Sequence, residues 1–180
     1  MKKAYFLKRK IEIYLNRKQL LKDKEYAKLE GQYLKKARKN FTVANMLMNI
    51  SDDDELKKAL KIAADFDMYD WVIIAAYYAM YSSALAALSR LSFKSKSHAA
   101  TLAALEYYYV NQKKSLKTKH LEKLSKAHNL SEDLINKLIQ TKTRRETAQY
   151  DATPSISSEN AKSSLKDADE FITKIEEILS

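Results

Sequence analysis

Residues 71–89 read Trp71-Val-Ile-Ile-Ala-Ala-Tyr-Tyr-Ala-Met-Tyr-Ser-Ser-Ala-Leu-Ala-Ala-Leu-Ser89, nineteen residues without a charge in a 180-residue chain of which 31% are charged. Such a run must be hidden from water. Its length touches the lower end of what spans a bilayer. Three tyrosines (Tyr77, Tyr78, Tyr81) and three serines lie along it, however, and lipid would leave their hydroxyls poorly satisfied; Asp70 abuts its start. The alanines and serines also give the segment a slim profile on which other helices can pack closely. The run is therefore expected to be the buried central helix of a protein core, with no membrane as partner.

The rest of the composition agrees with a helical core. One glycine and one proline leave few places for tight turns and few helix interruptions, which disfavours an all-β fold. With no cysteine there is no disulfide and no thiolate chemistry. Residues 1–17 carry lysine and arginine throughout and lack the apolar block of a secretory leader, so a cytoplasmic location is expected. The net charge of +10 favours polyanionic partners, because cations that neutralise phosphates release condensed counterions. Residues 1–40 and 113–126 are strongly basic, an arrangement that would suit two basic surfaces flanking one groove.

Outward from the central run, Leu29, Tyr33, Ala37, Phe41, Ala44 and Met48 recur at three-to-four spacing, so the first forty-nine residues read as one or two amphipathic helices with a bend possible at Gly31. Ser51-Asp52-Asp53-Asp54-Glu55 reads as an acidic helix start capped by Ser51, opening a helix through Leu56, Leu60, Ala63 and Phe66. Residues 90–97 read as a loop, with Ser97 capping a helix that carries Leu102, Leu105 and Tyr109. One short helix through Leu121 and Leu124 is expected to end near Asn129, and another to open at Ser131 and run through Leu134 and Leu138 to Arg145. After the only proline, Ala161, Leu165, Ala168, Ile172, Ile175 and Leu179 form the stripe of a last helix. No strand pattern and no repeat is evident. The economical solution is an all-α, up-and-down antiparallel helix bundle, residues 23–180, with a basic helical extension over residues 1–22.

Much chemistry is ruled down. His98, His120 and His128 lack a second ligand at zinc-site spacing and read as surface or helix-end residues, so no metal and no cofactor is expected. One glycine cannot build a phosphate-cradling loop. What remains is Arg144-Arg145-Glu146-Thr147-Ala148-Gln149-Tyr150-Asp151, at a helix end beside the proline-containing break. Two guanidiniums there can bind phosphate by forked hydrogen bonds, and Tyr150 can stack on a base or bond an oxygen. Arginines at a helix C-terminus also complement its dipole and pair with a neighbouring helix, and on residue mechanics alone that plainer role is the stronger.

Taken together, Tyr69-Asp70-Trp71-Val72-Ile73-Ile74-Ala75-Ala76-Tyr77-Tyr78-Ala79-Met80-Tyr81, then Ser97-His98, then Arg145-Glu146-Thr147-Ala148-Gln149-Tyr150 resemble the HEPN domain (higher eukaryotes and prokaryotes nucleotide-binding) over residues 23–179. The Arg-x-x-Ala-x-Tyr pattern is similar to that of the branch whose members often accompany small nucleotidyltransferases. The resemblance implies a bundle of four or five helices, usually a homodimer, with motif helices facing across a cleft. Many members are metal-independent ribonucleases of toxin and antiviral systems, in which an arginine holds the scissile phosphate and a histidine four to six residues on serves as acid and base. Here the stretch after Arg145 reaches Tyr150, and no histidine follows in that helix. An unperturbed tyrosine titrates near pH ~10 against ~6.5 for histidine, which makes it a poor base at neutral pH.

The resemblance thus implies a protein that binds RNA or a nucleotide at a dimer-interface cleft without the usual Arg/His site. Arg144 and Arg145 would grip phosphate, Tyr150 and Tyr77 would stack or donate hydrogen bonds, and Asp70 would orient Arg145. Two alternatives stay open: a metal-independent, toxin-like endoribonuclease using Arg145 with Tyr150 or His98, and a non-enzymatic adaptor or antitoxin-like partner of a nucleotidyltransferase.

Overall fold

The computed structural model describes the backbone of residues 2–145 and 156–180, and the side chains of residues 4–136 and 156–180. Among these, the central run lies in helix α4 (Tyr69–Arg90), which six other helices accompany. They are α1 (Lys2–Asn16), α2 (Glu30–Asp52), α3 (Asp54–Ala59), α5 (His98–Leu105), α6 (Thr118–Arg145) and α7 (Ser158–Leu179). The chain is an all-α bundle. Helix α4 is, among the described residues, the one helix long and apolar enough to cross a membrane, yet 78% of its most apolar window is buried inside the protein. Its buried alanines and serines, Ala76, Ala79, Ser83 and Ala87 among them, let α2 and α7 approach closely; these two make its most extensive contacts.

The partners of α4 present matching stripes. Helix α2 buries Ala37, Ala44 and Met48, and α7 buries Ala161, Leu165, Ala168, Phe171, Ile172, Ile175 and Leu179, every position of its expected stripe. Ion pairs clamp the rims: Arg38 of α2 binds Glu176 of α7 through Nε at 2.8 Å and through its terminal nitrogen. Arg90, at the end of α4, pairs with Glu30 and donates to the Leu179 carbonyl, tying three helix ends together. Tyr109 lies wholly inside, and its hydroxyl donates to the Ala87 carbonyl at 2.6 Å. Burial pushes its pKa up to about 12, so it remains a donor.

Four local expectations are corrected. First, α3 has only six residues, and its cap is Asp53, whose Oδ1 accepts from the Glu55 and Leu56 amides at 3.0 Å. Ser51 instead sits inside α2; its hydroxyl donates to the Leu47 carbonyl and accepts from the Met68 amide at 2.9 Å, pinning the entry to α4. The chain leaves α3 at Leu60 and turns through Lys61 at φ 57°, so Leu60 and Phe66 end up about half exposed rather than in a helical stripe. Second, α6 is one helix of 28 residues, not two. Its stripe of Leu121, Leu124, His128, Ser131 and Leu134 keeps its spacing through Asn129 and Ser131, so neither residue is needed as a cap, and Ser131 is buried.

Third, a two-stranded antiparallel ribbon exists: β1 (Leu20–Lys22) pairs with β2 (Phe93–Ser95) in the register Leu20↔Ser95, Leu21↔Lys94, Lys22↔Phe93. Leu20 and Phe93 plug its inner face into the core. Fourth, Gly31 is no bend. It lies in the first turn of α2 and has no positive φ; a short 3₁₀ segment (Lys24–Leu29) makes the turn before it. The ribbon and the buried Leu7 and Ile11 of α1 seat the N-terminal segment on the bundle, against α5 and the π-helical segment Glu106–Gln112.

Candidate functional site

Two positions along α6 carry the residues singled out by sequence. The first is an aromatic cluster where α4, α5 and α6 meet. Helical spacing places Tyr77 and Tyr81 one turn apart on α4, their rings stacked at 5.8 Å. Ser97 caps α5 through its hydroxyl, which accepts from the Ala100 amide at 3.2 Å, and this fixes His98 as the first residue of that helix. His128 of α6 completes the cluster: its ring stacks on that of His98 at 3.8 Å, with 14° between planes, and its Nδ1 is hydrogen-bonded to the Tyr77 hydroxyl at 3.1 Å.

Burial sets the protonation of this cluster. Tyr77 is only 5% exposed, and its pKa is raised by burial first and then by Tyr81, Tyr78 and Glu132, so it keeps its proton. Both ring nitrogens of His98 are enclosed without a hydrogen-bond partner among the described residues. Burial, and then the neighbouring His128, lower its pKa to about 4, in the direction that the positive end of α5 also pushes. His98 is therefore a neutral packing residue at neutral pH. His120 is likewise structural: buried at the start of α6, it accepts from the Lys117 amide at 3.1 Å through Nδ1. Among the described residues no group of three acidic or histidine side chains gathers as a metal site requires.

The second position is the end of α6, where Arg144 and Arg145 are its last two residues. Their side chains, and Tyr150 altogether, lie outside the described residues. The position of the arginines along the helix is nonetheless informative. His128 precedes Arg145 by seventeen residues of continuous helix, about 25 Å at 1.5 Å per residue. The structure thus brings Tyr77 and His98 to His128 rather than to the end of α6. Packing also gives the direction of α4: Tyr77 meets His128, while Ile73 and Ile74 meet Leu130 and Leu134. The two helices run in opposite senses, so Asp70, in the first turn of α4, is displaced towards the Arg145 end.

This order of elements coincides with a family pattern: the model of the HEPN domain matches residues 53–178, from the cap of α3 to the end of α7. The chain belongs to the HEPN domain family. No curated protein matches it. HEPN domains have nucleotide- or RNA-binding or ribonuclease-like functions in general, and often dimerise. In this HEPN chain the match leaves out α1, β1 and all of α2, although α2 is among the main partners of the central helix.

The pairing of His98 with His128 was not legible in the sequence, since thirty residues separate them. The available signal was the α6 stripe: His128 follows Leu121 and Leu124 at three-to-four spacing, which puts an imidazole on the buried face.

Proposed function

We propose that this HEPN protein binds RNA or a nucleotide through phosphate contacts from Arg144 and Arg145, in a cleft between two copies of the chain, without arginine–histidine chemistry. One observation carries this: all three histidines are committed elsewhere. His98 and His128 are stacked on each other about 25 Å before Arg145, and His120 is eight residues further back at the start of α6. The enclosed nitrogens of His98 offer no proton transfer to a bound strand, whichever copy supplies the strand. An arginine pair lacking a general base holds phosphate by charge and forked hydrogen bonds and does not cleave it.

Asp70, at the end of α4 nearest to Arg145, is the residue to orient it, and Tyr150 is the residue to stack on a base or bond an oxygen. A small nucleotidyltransferase is the candidate companion protein, on the strength of the Arg-x-x-Ala-x-Tyr pattern. Fluorescence anisotropy with labelled RNA and with nucleotides at low salt tests the site: Arg145→Ala is expected to weaken binding at least tenfold, as loss of a charge-assisted phosphate contact should. Binding by Arg145→Ala equal to that of the parent refutes the assignment. Metal-independent cleavage that persists in chelator and leaves 2′,3′-cyclic phosphate ends would instead make the protein a ribonuclease.

A further inference from the structure

The greatest concentration of positive charge lies away from Arg145. Residues 1–24 contain nine lysines and arginines against two acidic residues, in a chain whose whole net charge is +10. This segment lies outside the residues matched by the HEPN family. Helix α1 is held on the bundle by Leu7 and Ile11, so its opposite face is presented on a fixed support. Arg9 lies on that face, opposite Leu7 and Ile11, and Lys8 and Lys10 flank it on either side; all three are exposed, and among the described residues none of them has a carboxylate at ion-pair distance. Interleaved with them are Tyr5, 70% exposed, and Phe6, 58% exposed, with the Lys10 ammonium 5.0 Å from the Phe6 ring centre.

The surroundings extend this charge. Helix α1 packs against the π-helical segment Glu106–Gln112, and the chain leaves that segment through the exposed Lys113 and Lys114 and enters α6 through Lys117 and Lys119. A buried group senses this field: the pKa of His120 is lowered by its burial first, and then by Lys119, Lys174, Lys123 and Lys117. Cations alone would make a solvated face. Large aromatic rings left in water among cations that meet no carboxylate among the described residues match the chemistry of a nucleobase stacked beside its phosphate.

We propose that the exposed face of α1, extended by the lysines between the π-helical segment and α6, is a second polynucleotide-binding surface that takes single-stranded RNA, with Tyr5 and Phe6 stacking bases and Lys8, Arg9 and Lys10 neutralising phosphates. It goes beyond the arginine site. The lysines stand at the start of α6 and Arg145 at its end, about 40 Å away over 28 residues, so the two surfaces are separable.

Anisotropy titrations of a labelled single-stranded RNA from 50 to 200 mM salt read the proposal. With Lys8→Ala/Arg9→Ala/Lys10→Ala, the slope of log affinity against log salt is expected to shrink by about 2, and affinity near 0.1 M salt to fall by about 100-fold, at ~0.7 per neutralised phosphate. Tyr5→Leu/Phe6→Leu retains apolar bulk but removes the stacking rings; RNA affinity should fall at least tenfold, while any binding to phosphatidylserine vesicles is unchanged. All five residues are exposed, so both variants should melt with the parent. Unchanged RNA affinity and slope in the triple variant overturn the proposal, as does vesicle binding that needs Lys8, Arg9 and Lys10 while RNA binding does not. If Arg144→Ala/Arg145→Ala retains RNA binding and the α1 variants lose it, this surface stands and the arginine site falls; the reverse result eliminates α1.

Discussion

Protonating His98 should destabilise the protein in mild acid. Its ring is stacked on His128 beside Tyr77 and Tyr81, with both nitrogens enclosed, and its pKa falls from 6.5 to about 4. In the unfolded chain the imidazole takes up a proton near its ordinary value of 6.5, whereas the folded chain resists until about pH 4. Stability is thus full above pH 6.5 and drains away as the pH falls through that window. At ~1.4 kcal/mol per pH unit the shift corresponds to a ceiling of about 3.4 kcal/mol. Because the residue is only half-buried, solvent screening reduces this to about 2 kcal/mol.

Urea unfolding of the parent and of His98→Leu at pH 7, 5.5 and 4.5 isolates the effect. Asp52 has a pKa lowered by Lys162 and by the other groups that hydrogen-bond it, so its contribution is lost as pH falls at the acid end; it is common to both proteins and cancels in the difference. The parent should lose about 2 kcal/mol more than the variant between pH 7 and 4.5. Parallel curves, or a His98 ring signal that titrates at 6.5 or above by NMR, would refute the reasoning.

Three further outcomes can be read by the same unfolding measurements. Gly31→Ala should stabilise the protein by about 0.5–1 kcal/mol, raising Tm by roughly 1–3 °C, because Gly31 is in the first turn of α2 and an added Cβ meets nothing within 4 Å. Asp53→Ala should cost about 1 kcal/mol by leaving the Glu55 and Leu56 amides uncapped, whereas Ser51→Ala should act instead on the Met68 contact. Tyr109→Phe should cost about 1–2 kcal/mol, since it removes the buried bond to Ala87.

The sequence by itself determined what depends on local pattern and composition. An uncharged run in a highly charged chain reads as a core helix, and most positions from Val72 to Leu88 are indeed buried, although Tyr78 is 43% exposed. The unbroken stripe of α7 was legible for the same reason, and so was the cap at Ser97, because a side-chain oxygen satisfying a nearby amide is local chemistry. The HEPN order of motifs followed from the same segments.

Only the tertiary structure decided the features whose partners are distant in sequence. Leu20 pairs with Ser95 across 75 residues, and three-residue strands are too short to show alternation. Whether Ser51 or Asp53 caps a helix depended on which amides lay free, and Ser51 was already claimed by Leu47 and Met68. His98 and His128 became a stacked pair, and His98 neutral within it, only when α5 and α6 closed on α4, because desolvation belongs to the packed assembly and not to the residue. The uncharged run was fixed locally; its neighbours, and so the protonation of the cluster against it, were fixed by packing.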